Sequence, residues 1–540
     1  MKRWIAGILT FALLFCLAAC GKDKTVDRSF FYPMGHEPKS LDPQICGDPD
    51  TALAVGSLYE GLVRMGSDGT ILPGVAQRME VSDNGLTYTF HLRERARWHI
   101  ISNFKDIYGE DCDKNLELPV TAEDFVFAFQ RIFSADTGTP GADTLFAIRN
   151  ARAVYNGKRP LLELGVRAED EHTFVIELEK PSSDFLTRLA QPICAPCNRF
   201  FFESTKGKYG LGLTTTMCNG PFYLHRWNVE TSLVLWRNPD YASDSAVLPY
   251  AVTFMFNDDP SGYARRVNDG TYDAAPIRPE YIGDLDDSTR VQNVQNIVRG
   301  LAFNCRDELM QNAYLRMALC SAFSPQSLEI EDKLPAEGIL PSVCRVSGEN
   351  YREAAGKAEL LEENAERAQL FMQFALKETE QTHISVQILC TAEYETAMRR
   401  IIQCWQKVFG VLVAASTAVC TEEELQKAQR NGDFQIALVP IQATSTSAMQ
   451  SLYDFTHDED NGLGVTNEEF DGYMQAALTA PSPQSAAMCC RQAESYLIRT
   501  GVFYPLFAES SCFAFYPGAV DILLTPCGDN VSFIRARKTD

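Results

Sequence analysis

The chain has 540 residues, which exceeds the size at which a single hydrophobic core stops growing, so at least two lobes are expected. Hydrophobic residues make up 45% and charged residues 22% of the sequence, a globular composition that excludes a disordered chain. The formal net charge of −22 argues against nucleic acid as a partner, because phosphates would be repelled by this surface.

The first twenty residues have the anatomy of an export signal. A positively charged start, Lys2-Arg3, precedes an uncharged apolar run from Trp4 to Leu17 that is too short to span a membrane comfortably. The run ends in Leu17-Ala18-Ala19-Cys20, which resembles the lipobox of bacterial lipoproteins. This resemblance implies a signal peptide over residues 1–19, lipid attachment at Cys20 and a tether over 20–26. The alternative is an ordinary secretion signal with a cysteine after it by chance.

Strands and helices alternate along the rest of the chain. Apolar residues alternate with polar ones from Leu86 to Leu92, from Phe174 to Leu178 and from Ser232 to Trp236, which predicts half-buried strands. A capping box at Thr121 to Asp124 precedes apolar residues at helical spacing, which predicts a helix there. The same spacing recurs in later segments and indicates an α/β or α+β fold with mixed sheets.

The cysteines do not indicate a disulfide framework. Of 17 cysteines, Cys16 leaves with the signal and Cys20 takes the lipid, so 15 remain and complete pairing is impossible. We therefore expect mostly buried free thiols. Cys194 and Cys197 form a single C-x-x-C pair, which without a second pair favours a structural role over a redox or metal site.

Motifs of catalytic chemistry are missing from the sequence. No two of the seven histidines have metal-ligand spacing, and neither a G-x-S-x-G elbow nor a P-loop is present. The sequence therefore predicts a protein that is not an enzyme and that needs neither metal nor cofactor. A carboxylate pair of the kind that glycosidases use is the alternative that the many acidic residues leave open.

A series of short motifs follows in order along the chain. They are E-P-K-S-L-D-P at 37–43, L-Y-E-G-L-V at 58–63, D-G-T-I-L-P-G at 68–74, V-S-D-N-G-L-T-Y-T-F-H-L-R at 81–93, V-T-A-E-D-F at 120–125, C-N-G-P-F at 218–222, N-P-D-Y at 238–241, F-N at 303–304 and F-D at 470–471. Each motif alone is modest, but the ordered set covers nearly the whole chain. In this set the chain resembles the family 5 extracellular solute-binding proteins.

The resemblance implies a two-lobed fold of the periplasmic-binding-protein type, class II, with an extra domain on the N-terminal lobe. Lobe I would comprise residues 27–57, 181–300 and 506–540, and lobe II residues 301–505. The extra domain would comprise 58–180. Two chain crossings, near Phe303 and Pro505, would form a hinge, and closure would bury the ligand.

The resemblance also implies where a ligand binds. Glu37 and Gly141 would contact it from the N-terminal side, and Tyr394, Glu422, Leu438, Ile441 and Thr444 from lobe II. At Thr444 the family has an aspartate that pairs with a peptide's ammonium group, and at Ile441 it has a tryptophan. In one branch of the family an arginine stands at Leu438 and a histidine at Tyr394. Free peptides in the usual register are therefore not the expected ligands, because the carboxylate partner is replaced.

These implications combine into one functional expectation. The chain would be a monomeric, lipid-anchored, extracytoplasmic protein that captures a peptide or peptide-like solute and delivers it to the permease of an ABC importer. Two alternatives stay open at this point: a surface receptor or other binding module that has left transport, and a surface hydrolase on the same scaffold.

Overall fold

The computed structural model describes residues 28–99, 117–182, 184–242, 246–256, 258–328, 333–443, 446–453, 467–526 and 531–539, with single positions at 101, 105, 107, 109, 455 and 463. The predicted signal peptide, the lipidation site Cys20 and the tether lie outside the described residues, as does Thr444. Within the described part, no helix has both the length and the apolar character that a membrane crossing requires.

The N-terminal lobe is built on a four-stranded mixed sheet. The strand order is β1-β10-β9-β8, and β1 runs parallel to β10. Alternate residues of β1, such as Phe30 and Tyr32, point into the core as the period of a strand requires. The strand bounds are Ser29–Met34 for β1, Phe222–Asn228 for β8, Ser232–Arg237 for β9 and Ala251–Phe256 for β10.

A second, antiparallel sheet of the same lobe has the order β4-β5-β7-β6. Tyr88, Phe90 and Leu92 of β5 are buried, which confirms the predicted alternation. The predicted helix that follows the capping box is present as α2, and its residues Phe125 and Phe129 pack on Phe174 of the sheet. The bounds are Ala76–Val81 for β4, Thr87–Leu92 for β5, Val166–Asp170 for β6, Thr173–Glu177 for β7 and Ala122–Ile132 for α2.

The largest sheet connects the two lobes. Its strand order is β11-β19-β12-β18-β16-β17, with the short β13 paired to β19. The two long strands β12 and β19 lie side by side and antiparallel. The bounds are Ala274–Ile277 for β11, Arg290–Phe303 for β12, Leu334–Pro335 for β13, Ile384–Thr391 for β16, Val413–Cys420 for β17, Ile436–Gln442 for β18 and Phe503–Phe515 for β19.

The described residues form three hydrophobic clusters, and the two largest define the lobes, here called lobe I and lobe II. The core of lobe I runs from Phe30 to Phe256 and returns with the C-terminal segment from Phe513. The core of lobe II runs from Leu301 to Phe507. Strands β12 and β19 each pass from one core to the other, so they form the two chain crossings between the lobes.

The remaining elements complete the two lobes. Two-stranded pairs are formed by β2 (Val63–Met65) with β3 (Ile71–Pro73), β14 (Arg345–Val346) with β15 (Glu349–Asn350), β20 (Ala519–Val520) with β23 (Arg537–Lys538), and β21 (Leu523–Leu524) with β22 (Val531–Ser532). The other helices are α1 (Pro49–Leu58), α3 (Ala151–Tyr155), α4 (Phe185–Leu189), α5 (Arg199–Ser204), α6 (Tyr263–Asn268), α7 (Ala313–Ser321), α8 (Tyr351–Ala355), α9 (Ala365–Glu378), α10 (Glu395–Phe409), α11 (Glu422–Asn431), α12 (Ala448–Tyr453), α13 (Glu468–Leu478) and α14 (Pro483–Arg499).

Candidate functional site

One edge of the lobe II sheet collects the ends of its parallel strands. Strands β16, β17 and β18 run parallel, and they end at Thr391, Cys420 and Gln442. The turns that follow therefore lie at the same edge, and they carry Tyr394 and Glu422. Ligands of open α/β sheets bind in the crevice outside the carboxyl ends of the strands. This edge is therefore the first candidate for a binding surface in lobe II.

The same edge faces lobe I. The hydroxyl of Ser447, which follows β18, donates a hydrogen bond to the Asp184 carboxylate of lobe I, with an Oγ to Oδ2 distance of 2.5 Å. The Asp-Gly turn between β2 and β3 also reaches lobe II. A Cβ atom added at Gly69, where φ is +80°, would lie 2.6 Å from Nε of Arg345, so only glycine fits this approach. The edge therefore lines a cleft between the lobes.

Four polar side chains, three of them buried and one half-buried, form a cluster on this side of the crossing strands. Glu509 of β19 is the acceptor for the other three members. Its Oε1 accepts from Nζ of Lys333 at 2.8 Å and from the hydroxyl of Tyr394 at 2.5 Å, and its Oε2 accepts from Nε of Arg299 at 3.2 Å. We call Arg299, Lys333, Tyr394 and Glu509 the Glu509 cluster.

The backbone explains why these four residues meet. Lys333 immediately precedes β13, whose Leu334 pairs with Ala508, the neighbour of Glu509. The ring of Tyr394 stacks on Phe507 with a centroid distance of 5.5 Å and an interplanar angle of 28°. The guanidinium carbon of Arg299 lies 4.5 Å from the centre of the Tyr394 ring, which adds a cation–π contact.

The charges of the cluster do not cancel. Burial raises the pKa of Glu509, but the Arg299 charge and the hydrogen bonds from Lys333 and Tyr394 outweigh it and hold the pKa below its ordinary value. Burial and the Glu509 charge raise the pKa of Tyr394, against the lowering effect of Arg299, so its hydroxyl stays protonated and donates. Two cations and one carboxylate leave a formal charge of +1.

Two buried donors on β12 lack a hydrogen-bond partner among the described residues. They are Nη1 of Arg299 and the side-chain amide nitrogen of Asn296. Arg299 is 9% exposed and Asn296 is fully buried. A buried donor without an acceptor costs about 1–3 kcal/mol, more when it is charged. A bound solute that supplied an acceptor to either donor would remove this free-energy cost.

Among the described residues, no contact joins Glu37 or Gly141, the predicted ligand-binding residues of the N-terminal side, to the Glu509 cluster. Glu37 follows β1 and accepts hydrogen bonds from Nε1 of Trp227 at 2.5 Å and from the backbone of Glu230 at 2.9 Å. Both partners belong to the hairpin of β8 and β9 in the same lobe. Gly141 is exposed and begins a short 3-10 turn with φ of +71°. Their contact with ligand stays a prediction.

The predicted lobe II residues have different environments. Tyr394 is buried in the Glu509 cluster. Ile441 is half-buried in β18 opposite Val298, next to Arg299 in sequence, whereas Leu438 is buried opposite Leu301. Glu422 is exposed at the first position of α11. The structure thus places both Tyr394 and Ile441 next to Arg299, and the ligand contacts of the whole set stay predictions.

Sequence reasoning missed three members of the Glu509 cluster, namely Arg299, Lys333 and Glu509. A signal was available for two of them. Glu509 is the single charge of the largely apolar strand β19, and Arg299 lies in the apolar half of β12 from Ile297 to Phe303; a charge in a buried strand requires a partner. Lys333 has no such signal, because it lies in a polar connecting segment.

Comparison with known proteins identifies relatives over nearly the whole chain. The model of the bacterial extracellular solute-binding proteins, family 5, matches residues 70–462. The dipeptide-binding protein DppE of Bacillus subtilis is 25% identical, over 94% of this chain and 93% of its own. The periplasmic oligopeptide-binding protein OppA of Salmonella typhimurium is 33% identical, over 50% of this chain and 49% of its own. These relatives are named as binding proteins.

Solved structures show the same fold. The unliganded open form of the murein tripeptide-binding protein MppA superposes with a TM-score of 0.73 at 22% identity, covering 95% of this chain and 97% of its own. OppA of Listeria monocytogenes bound to peptide gives a TM-score of 0.72 at 21% identity, covering 95% and 99%. The predicted two-lobed fold with an extra domain on the N-terminal lobe is therefore confirmed.

Proposed function

Because the chain belongs to the bacterial extracellular solute-binding proteins of family 5, we propose that it captures a peptide or peptide-like solute between its lobes and delivers it to the permease of an ABC importer. The match of the family model over residues 70–462 carries this proposal. The names of DppE and OppA, a dipeptide binder and an oligopeptide binder, support the solute class. The alternatives of a receptor and a hydrolase are not favoured by these relatives.

The cleft edge supports the proposal at the level of residues. Tyr394 and Ile441 belong to lobe II, Glu37 belongs to lobe I, and Arg299 lies on a strand that crosses between them. A solute in contact with both lobes stabilises the closed arrangement over the open one. Such a solute binds the closed arrangement more tightly than the open one, and any ligand-driven closure requires this difference in affinity.

Thermal unfolding of the purified protein tests the solute class. Random pools of tripeptides and pentapeptides, both free and N-acetylated, are added in rising concentration, with glucose as the control solute. A solute at 100 times its Kd stabilises the folded protein by about 2.7 kcal/mol, so the unfolding midpoint rises with the peptide pools and not with glucose. A midpoint that no peptide pool raises would overturn the proposal.

We also propose that the protein is held extracytoplasmically on the membrane by acyl chains at Cys20 and acts there as a monomer. The support is the signal-like segment before Cys20. Cys20→Ala should abolish incorporation of labelled palmitate and release the protein from the membrane fraction, since two acyl chains give stable anchoring. Cys46→Ala, a buried cysteine near the start of the described chain, is the matched control. Label that persists in Cys20→Ala would contradict the anchor.

A further inference from the structure

We propose that Arg299 binds a carboxylate of the solute, so that the solute lies in the cleft with an acidic end against the crossing strands. The inference rests on the proposed function and specifies the chemistry of the same site. It makes Arg299 the residue that distinguishes a carboxylate-bearing solute from an otherwise identical one whose carboxylate is capped.

Two contacts fix the guanidinium of Arg299, and one of its donors has no acceptor. Its Nε is fixed by Oε2 of Glu509 at 3.2 Å, and its plane lies over the ring of Tyr394 with 4.5 Å between guanidinium carbon and ring centre. Nη1 is buried and has no hydrogen-bond partner among the described residues. A guanidinium held on two sides has little rotamer entropy left to lose when an acceptor binds to the third.

The charge around Arg299 selects the sign of the incoming group. Glu509 already accepts from Arg299, Lys333 and Tyr394, so it is not available as the sole partner of a ligand ammonium. Among the residues that the structure describes, the carboxylate of Glu393 also pairs with Lys333, with 3.9 Å between its Oε1 and Nζ, and it is 63% exposed. Because the exposed Glu393 is screened by solvent, the buried part of the cluster keeps an excess of positive charge at Arg299, which attracts an anion and repels a cation.

A carboxylate fits this site better than larger anions. One guanidinium edge presents parallel N–H groups at the spacing of the two carboxylate oxygens, and a single positive charge balances a single negative one. The proposal covers two sources of that group, the C-terminal carboxylate of a peptide and an acidic side chain. The experiment below separates them.

The test measures the concentration of peptide that gives half of the maximal rise in unfolding temperature. Random tripeptide and pentapeptide pools made without Asp and Glu are used in three forms: free, C-terminally amidated and N-acetylated. Amidation should raise the half-maximal concentration at least about tenfold, because a hydrogen bond to a charged group is lost. Acetylation should change it less than about threefold, because it does not touch that bond. An amidated pool that contains Asp and Glu should recover affinity only if side-chain carboxylates are accepted.

Variants assign the effect to Arg299. Arg299→Met keeps an unbranched apolar stem and removes the guanidinium, and Lys333 and Tyr394 still pair with Glu509; it should bind free and amidated pools equally. Arg290→Met removes an exposed arginine of the same strand that lies over Phe515, outside the cluster, and should keep the tenfold difference. Arg299→Lys should keep part of the difference between free and amidated pools, since the positive charge remains.

The outcomes separate the two proposals. If free and amidated pools bind the wild-type protein equally, the Arg299 inference is overturned while peptide binding stands. The same holds if the difference persists in Arg299→Met. If Arg299→Met fails to fold, the wild-type comparison and Arg299→Lys still decide. If no pool raises the unfolding temperature, the proposed function and this inference both fail.

Discussion

Glu509 shows how one buried carboxylate can hold several elements together. It lies on β19 and binds Arg299 of β12, Lys333 beside β13 and Tyr394 after β16. Its exposed fraction is 9%, so these bonds are shielded from water and from salt. A buried charge in this arrangement is stable only while its partners are present.

Replacing this carboxylate by an amide should be costly. Glu509→Gln leaves Arg299 buried without a counter-charge and leaves Lys333 with only the exposed Glu393, so the free energy of unfolding at pH 7 should fall by about 3–5 kcal/mol. Urea unfolding followed by circular dichroism measures it. Glu423→Gln, an exposed glutamate of α11, is the control and should change the free energy by less than about 0.5 kcal/mol.

The pH dependence of the same variant has a defined sign. The pKa of Glu509 is lower in the folded protein than its ordinary value of 4.5. Its carboxylate therefore contributes stability above pH 4.5, and this contribution is lost as the pH falls through the lower folded pKa. The difference in the free energy of unfolding between wild type and Glu509→Gln should become smaller at acidic pH. A gap that is constant from neutral pH into acid would show that the charge does not cause it.

At the scale of single elements, the N-terminus of helix α2 contains a carboxylate whose pKa is shifted in the opposite direction to that of Glu509. Asp124 accepts from the backbone of Thr121 at 2.9 Å and from Nε1 of Trp98 at 3.1 Å. Burial dominates these bonds and raises the pKa of Asp124 to about 6. The helix start thus depends on a group that titrates near neutral pH.

This titration predicts a loss of stability with rising pH. Because the pKa of Asp124 is raised in the folded protein, the stability that its proton supplies is full below pH 3.8 and is lost as the pH rises through 6. Between pH 4 and pH 7 this group alone should lower the free energy of unfolding by about 2 kcal/mol. Asp124→Asn should abolish this pH-dependent fall in the free energy of unfolding, measured by urea unfolding across the same pH range. Asp83→Asn, an exposed aspartate, should leave it unchanged.

The elements themselves were predictable where the signal is local. The period of two from Leu86 to Leu92 and the capping box at Thr121 gave β5 and α2 because neighbouring residues alone decide those patterns. Strand pairing is not local: nothing near Arg299 in sequence indicates that β12 lies against β19 some two hundred residues later. The resemblance led to Tyr394, whereas its partners Lys333 and Glu509 depend on that long-range pairing.

At the scale of the whole molecule, the contact between the lobes depends on a few hydrogen bonds. The carboxylate of Asp184 is buried and binds Arg188 and Ser182 within lobe I and Ser447 of lobe II. Burial raises the pKa of Asp184, but Arg188 and these hydroxyls outweigh it and keep the pKa below its ordinary value. The bond to Ser447 is therefore a charge-assisted bond that exists only when the lobes are together.

Removing this bond should favour the open arrangement. Ser447→Ala leaves Asp184 paired with Arg188, so the fold is kept while the lobes lose one contact. The apparent Kd for the peptide pools should rise about fivefold or more, because a smaller fraction of the protein is closed. Titration calorimetry measures the Kd, and Thr479→Ala, exposed on lobe II, is the control. An unchanged Kd in Ser447→Ala would argue against a role of this contact in closure.

Small-angle X-ray scattering of the protein with and without the peptide pools tests the central claim most directly, because closure of two lobes around a solute changes the shape of the whole molecule. We predict that the radius of gyration falls when saturating free peptide is added and is unchanged by glucose. Scattering curves that coincide with and without peptide, at concentrations that raise the unfolding temperature, would contradict capture between the lobes.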